Sequence, residues 1–175
     1  MYKNKTISLV LPAFNEQINI KKSIEEFLET GVFDEIIVID NNSSDNTANE
    51  IKKTSATYIL EKKQGYGVAI RTGLKNCTGD YIVMCEPDGT FQANDIHKLL
   101  SYAEQFDCVF GTRTSKSAIA KDAKMQFYLR VGNILVAKFL SYLFFGPTLS
   151  DVGCTFKLIS KNSYKQMENQ LTVIG

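Results

Sequence analysis

Short apolar runs alternate with helical spacings along the first two thirds of the chain. Residues 6–11 form a β-branched and aliphatic run closed by Pro12, which predicts a first strand. Ile20, Ile24, Phe27 and Leu28 then recur at helical spacing, with Gly31 as a stop. Residues 35–40, Glu-Ile-Ile-Val-Ile-Asp, are apolar without alternation, as in a strand covered on both faces. The cluster Asn41-Asn42-Ser43-Ser44-Asp45 predicts a turn and a helix cap. A short helix is expected over 46–53, a third strand over 57–60, and a loop at Gln64-Gly65-Tyr66-Gly67 leading into a helix that reaches Asn76. Residues 80–85 read as a fourth strand, broken by Pro87-Asp88-Gly89. Ile96, Leu99, Leu100 and Ala103 share one helical face, and 108–110 form a fifth strand. Repeated βαβ units of this length imply an α/β fold with a mostly parallel sheet and helices on both sides.

Beyond Arg113 the pattern changes. Residues 114–124 are polar and read as a surface loop. Residues 125–145 are a long apolar helical segment, interrupted by Arg130 and Lys138 and stopped near Gly146-Pro147. Those charges exclude a spanning helix, which needs about 20 largely uncharged residues. A core helix, an amphipathic helix in a membrane interface and a dimer surface stay open. No repeat or linker interrupts the 175 residues, so one domain is expected.

Charge and composition narrow the function classes. Twenty basic residues face nineteen acidic ones, without the basic excess of a general nucleic-acid binder. His97 is the only histidine, which argues against zinc and iron sites built on several histidines, and it falls off the apolar face of its helix. Cys77, Cys85, Cys108 and Cys154 are scattered, with no C-x-x-C pair, and read as small buried hydrophobes in a reducing compartment. The chain enters its first strand with no signal-peptide core, so a cytoplasmic location is expected.

Ligands of such sheets bind beyond the carboxyl ends of the strands. Four predicted strands end there in polar groups: Asn15-Glu16, Asp40-Asn41, Glu86-Pro87-Asp88 and Gly111-Thr112-Arg113. Glu86 and Asp88, two residues apart past a buried strand, suit a hard divalent cation such as Mg²⁺ or Mn²⁺; the alternative is a capping Asp88 with a solvated Glu86. Asp40 can accept from a base N–H or a ribose hydroxyl, or it can be an Asx-turn residue. Glu16 is either a third site carboxylate or a charge favouring a helix N-terminus. Arg113 can pair with a phosphate or be a surface charge. Dinucleotide, Walker A and nucleophile-elbow motifs are absent.

Four motifs, in order, carry a resemblance. They are Val10-Leu11-Pro12-Ala13-Phe14-Asn15-Glu16, Val38-Ile39-Asp40-Asn41-Asn42-Ser43-Ser44-Asp45-Asn46-Thr47, Gly65-Tyr66-Gly67-Val68-Ala69 and Glu86-Pro87-Asp88-Gly89-Thr90. Together they resemble the family 2 glycosyltransferases of GT-A fold, in particular the polyprenyl-phosphate sugar transferases and bacterial cell-surface polysaccharide transferases. The resemblance implies a Rossmann-like three-layer sandwich and an inverting, metal-dependent transfer from a UDP- or GDP-linked sugar to a lipid-phosphate or glycan acceptor.

By the same resemblance Pro12, Ala13, Phe14, Glu16, Asp40, Asn41 and Gly65 bind the nucleotide sugar, and Glu86 and Asp88 hold its metal. Arg113 and Arg130 meet the diphosphate or the acceptor phosphate. Asp151, in Ser150-Asp151-Val152-Gly153-Cys154, stands near the sugar and acceptor; Asp88, Asp151 and Arg113 form the expected catalytic set. A hydroxyl acceptor would need a base, with Asp151 the candidate; a phosphate acceptor would need none. The lipid-acceptor version would seat segment 125–145 in the membrane interface on the cytoplasmic face.

Two departures stand out. Glu86 occupies the first acidic position of the D-x-D motif, and Asn41-Asn42 replace an acidic residue and a glycine. The chain also ends soon after the Asp151 motif, where relatives continue with another strand and helices. The expectation is therefore a nucleotide-binding half over 1–112 and a shortened acceptor-side half over 113–175. A sugar-nucleotidyltransferase shares a similar fold, but should carry a basic Gly-rich loop where this chain has Pro12-Ala13-Phe14-Asn15-Glu16. A nucleotide-binding domain without turnover is the other alternative. The glycosyltransferase reading requires Asp40 and Asp88 at the same end of the sheet.

Overall fold

The structure is a computed structural model that describes residues 2–112, 127–144 and 151–171. In chain order the strands are β1 (Ile7–Ala13), β2 (Glu35–Asp40), β3 (Thr57–Leu60), β4 (Tyr81–Met84), β5 (Cys108–Phe110) and β6 (Lys157–Ser160). The helices are α1 (Ile20–Glu29), α2 (Thr47–Lys52), α3 (Tyr66–Asn76), α4 (Ile96–Tyr102), α5 (Phe127–Leu143) and α6 (Lys161–Met167). One six-stranded sheet has the order β3-β2-β1-β4-β6-β5. β1 pairs parallel with β2 and β4, β2 pairs parallel with β3, and β6 runs antiparallel to β4.

The uninterrupted apolar runs are explained by burial on both faces. Val10, Ile37, Ile39 and Ile82 pack on one face with Ala69 and Leu74 of α3 and Tyr164 of α6. Leu9, Leu11, Val38 and Val83, of opposite parity, are buried as well, so neither face is left to solvent. Gly73 lets α3 sit down on β1, because a Cβ there would collide with the Val10 side chain.

Pro12 does not end the first strand, as the sequence pattern suggested. β1 runs on to Ala13, whose carbonyl accepts from Asn41 N at 2.8 Å. Val10 O accepts from Cys85 N, so Val10 and Pro12 share the parity facing β4, yet β4 pairs no further than Val10↔Met84. The missing N–H of Pro12 therefore falls where the ladder has already ended.

The chain clusters into two compact units, Met1–Val109 with Phe156–Gly175, and Phe110–Thr155. The second unit ends at Thr155, and the chain then returns to the first. It re-enters the sheet at β6, which the sequence reading lacked. Phe156 then packs against Phe27 and Phe91 of the first unit, with ring centroids at 6.4 and 5.5 Å.

In the second unit α5 leaves Leu135, Val136, Phe139, Tyr142 and Leu143 exposed, and Ala137 is buried. No helix among the described residues is long and apolar enough to cross a membrane. The predicted loop over 114–124 lies outside the described residues. Cys77, Cys85 and Cys154 are buried and Cys108 is half-buried. Burial pushes the Cys77 thiol up to about 12, so it behaves as an inert core residue. His97 is exposed.

Candidate active site

Parallel pairing puts the carboxyl ends of β1, β2 and β4 along one edge, and the chain changes direction there four times. Asn15, Asn42, Gly65 and Gly89 have φ of +56°, +60°, +143° and +77°, conformations favourable to glycine and tolerable for asparagine. Asn42 thus performs the backbone task of the glycine that the resemblance leads one to expect. The Asn15 turn is held from the β2 side: its N–H donates to Ser43 Oγ at 3.0 Å, and its Oδ1 accepts from Ser44 N at 2.9 Å.

Between these turns lies a cavity of about 270 Å³ lined by Pro12, Ala13, Phe14, Asn41, Gln64, Gly65, Tyr66 and Ala69. Five of the residues expected to bind the nucleotide sugar therefore meet on one wall system. Phe14 and Tyr66 are each 50% exposed at its margin, which offers two aromatic rings to a planar ligand. Gln64, Tyr66 and Ala69 were not among the residues expected to bind the nucleotide sugar. Their signal was their position beside Gly65, in the turn that starts α3.

Asp40 closes β2 and is buried. Its Oδ1 accepts from Ser43 N at 2.9 Å and its Oδ2 from Tyr58 Oη at 3.1 Å. Burial, and then the Asp40 carboxylate, raise the Tyr58 phenol above its ordinary value, so Tyr58 stays a donor. The Asx-turn role is present, and the carboxylate retains lone pairs for a further donor. Glu16, like Asp40, is not among the residues that line the cavity. Its carbonyl accepts from Asn19 N and Ile20 N, and its Oε2 from Asn19 Nδ2 at 3.2 Å. It organises the start of α1.

Glu86 and Asp88 follow β4, the neighbour of β1. Asp40 and Asp88 therefore stand at the same end of the sheet, as the glycosyltransferase reading requires. The turn is tied to α1 by Ser23 Oγ, which donates to Pro87 O at 2.9 Å in a buried bond. Asp88 is exposed and Glu86 half-buried. Asp88 Oδ1 accepts from Thr90 N at 2.9 Å. Among the described residues no group of three or more His, Cys, Asp or Glu side chains could cage a metal ion. Two carboxylates on an open edge do fit a Mg²⁺- or Mn²⁺-type ion that takes its remaining oxygens from phosphate and water.

Of the acceptor-side residues, Asp151 is buried within the second unit, its Oδ1 accepting from Asn133 Nδ2 at 2.9 Å and Gly153 N at 3.0 Å. Arg113 lies outside the described residues. Arg130 falls in the first turn of α5, with its side chain outside the described set.

The low-salt glycan biosynthesis hexosyltransferase Agl6 of Haloferax volcanii is 28% identical over 93% of this chain and 40% of its own length. Glycosyltransferase AglJ of the same organism is 26% identical over 92% of this chain and 52% of its own length. The chain thus spans about half the length of these curated relatives. Among solved structures, mannosyl-3-phosphoglycerate synthase from Rubrobacter xylanophilus superposes with a TM-score of 0.70 at 18% identity, over 91% of this chain and 54% of that one. Glucosyl-3-phosphoglycerate synthase from Mycobacterium tuberculosis, solved with Mn²⁺, UDP-glucose and phosphoglyceric acid, gives a TM-score of 0.68 at 22% identity, over 91% and 58% of the two chains. At those identities the likeness is one of fold. The family model for glycosyl transferase family 2 matches residues 8–167, nearly the whole sheet and its edge, and the chain belongs to that family.

Proposed function

We propose that this chain binds a nucleoside-diphosphate sugar in the cavity at the β1–β2 edge and transfers the sugar with inversion at the anomeric carbon. The observation that carries the proposal is the convergence, at one end of the sheet, of an aromatic-margined cavity, the buried Asp40 that closes β2 and the Glu86–Asp88 pair that follows β4. The base and ribose occupy the cavity between Phe14 and Tyr66, and Asp40 accepts a hydrogen bond from them. Glu86 and Asp88 are the residues that would hold a divalent ion for the diphosphate. When bound, that ion neutralises charge developing on the leaving diphosphate. Hexosyltransferase Agl6 and the Mn²⁺ and UDP-glucose complex of the mycobacterial synthase support this assignment by relationship and by fold.

In the reaction the acceptor oxygen forms a bond to the anomeric carbon as the bond from that carbon to the diphosphate oxygen breaks. A phosphate acceptor arrives anionic and releases no proton. A hydroxyl acceptor must lose one, and Asp151 is the carboxylate assigned to receive it. The lipid-phosphate acceptor is favoured over a soluble glycan by the exposed apolar side chains of α5. Residues 113–144 add six basic residues and one acidic one, a charge balance suited to an anionic membrane surface.

Thermal unfolding with UDP or GDP, each with and without Mn²⁺, tests the donor assignment. A ligand that binds only the folded chain raises the melting temperature. The expected result is a Mn²⁺-dependent rise with one of the two nucleotides. No rise with either would overturn it and favour a domain that has lost donor binding.

A further inference from the structure

The second motif of this chain carries an amide where the resemblance led to an acid, and the structure gives that amide a task only an amide can perform. Asn41 is buried at the junction of both cavity walls. Its backbone N–H donates to Ala13 O at 2.8 Å, on the wall that carries Phe14. Its side chain reaches the opposite wall three times. Nδ2 donates to Lys63 O at 2.8 Å and to Glu61 O at 3.3 Å, and Oδ1 accepts from Gly65 N at 2.8 Å. Both amide protons and the carbonyl are thus committed to the segment 61–65.

That segment needs a clamp. Lys62, Lys63, Gln64 and Tyr66 are exposed, so little apolar burial holds them. Its first residue is anchored separately: Glu61 N donates to Asp40 O at 2.8 Å, and Glu61 Oε2 accepts from Thr72 Oγ1 at 2.7 Å. The far end, which positions Gln64, Gly65 and Tyr66 against the cavity, depends on Asn41. A carboxylate of the same shape could keep the Gly65 bond, but would have no proton for the two carbonyls and would place a negative charge against them.

We propose that Asn41 is a positioning residue of the donor site, rather than a direct ligand: its amide holds the 61–65 segment closed as the base-side wall, and an acid at this position opens it. The proposal rests on the donor-site reading above. If the closed segment is the binding-competent form, weakening the clamp raises the apparent Kd by the inverse of the closed fraction.

The test uses the full chain, its Asn41→Asp and Asn41→Ala variants, and three probes with Mn²⁺: UDP, GDP and inorganic pyrophosphate. Pyrophosphate lacks a base and reports the carboxylate end alone. Titrations are run well below each variant's melting temperature, beside hydrogen exchange of the ligand-free chains. Both variants are expected to bind the preferred nucleotide about 10- to 100-fold more weakly, from the loss of two or three hydrogen bonds. Pyrophosphate affinity stays unchanged, and amide exchange accelerates over 61–66 while the sheet stays protected. If Asn41→Asp does not fold, Asn41→Ala alone decides the question. Nucleotide binding equal to the parent chain in a folded variant overturns the clamp and leaves the donor site standing. Equal weakening of pyrophosphate overturns it too, because the effect is then general. Failure of the parent chain to bind either nucleotide overturns the donor reading instead, and the clamp with it.

Discussion

The two ends of the sheet are built from the same strands but to opposite designs. At the amino end, polar groups are consumed by one another. Ser8 Oγ donates to Glu35 Oε1 and accepts from Gly79 N at 2.8 Å; Thr78 donates to the same carboxylate oxygen through N at 2.6 Å and Oγ1 at 3.0 Å. The backbone is packed so closely there that a Cβ on Gly79 would lie 2.5 Å from Ser8 Oγ and 2.8 Å from Ser8 N. At the carboxyl end the turns take left-handed backbone conformations, the aromatic rings are half exposed, and Asp88 faces water. A closed network stabilises and binds nothing. An open edge whose conformations are fixed from behind costs stability, and has groups left over for a ligand.

Substitutions should therefore separate function from stability according to the end they touch. The largest effect is expected for Asp88→Ala. It removes one of two candidate metal ligands, and the Mn²⁺-dependent part of nucleotide binding should disappear. Sugar transfer, measured with a radiolabelled donor, should fall roughly a hundredfold to a thousandfold, the scale for losing stabilisation of a developing anion. The melting temperature without ligand should barely move, since Asp88 is exposed. A large loss of stability with binding intact would reverse the assignment of the two ends.

Gly79→Ala is the reciprocal experiment. The new methyl must displace Ser8, whose backbone belongs to the central strand, and overpacking of this kind costs about 1–3 kcal/mol. For a chain of this size that lowers the melting temperature by roughly 2–4 °C per kcal/mol. Calorimetry reads the loss. Nucleotide affinity of the folded fraction should match the parent chain, and a changed affinity would mean that the two ends are mechanically coupled.

The contrast also explains what was legible in the sequence. Apolar runs covered on two faces announce themselves, so β1 to β5 were visible from Ile7, Ile36, Thr57, Ile82 and Val109 outwards. β6 was not: it has four residues, and its place is set by the distant register Tyr81↔Ser160, Ile82↔Ile159, Val83↔Leu158 and Met84↔Lys157. Antiparallel insertion between β4 and β5 is a tertiary choice with no local signature. Near the site, Pro12, Phe14 and Gly65, expected from the resemblance, line one cavity, and the two carboxylates after β4 were singled out because strand ends in such folds face ligands. Glu16 had two readings in the sequence, a site carboxylate or a charge at a helix start, and in the structure it organises the start of α1. The use of Asn41 could not be read at all, since an asparagine after a strand fits an Asx turn as well as a clamp.

The smallest expected effect sharpens the comparison by pH. Partial burial alone would raise Glu35, but the hydrogen bonds from Ser8, Thr78 and Gly79 outweigh it and hold its carboxyl below the ordinary value of 4.5. A carboxyl lowered in the folded state stabilises the fold fully above its unfolded value, and that contribution is lost as pH falls through the folded one. Glu35→Gln keeps an oxygen for the same donors and removes the charge, so the loss at neutral pH should stay within about 1 kcal/mol for this partly exposed group. The variant's stability should decline less steeply than the parent's as pH falls below 4.5, read as urea midpoints at successive pH values. An unchanged acid slope would mean that Ser8, Thr78 and Gly79 hold a carboxyl whose charge the fold does not use, and the amino-end lock would then rest on packing around Gly79 alone.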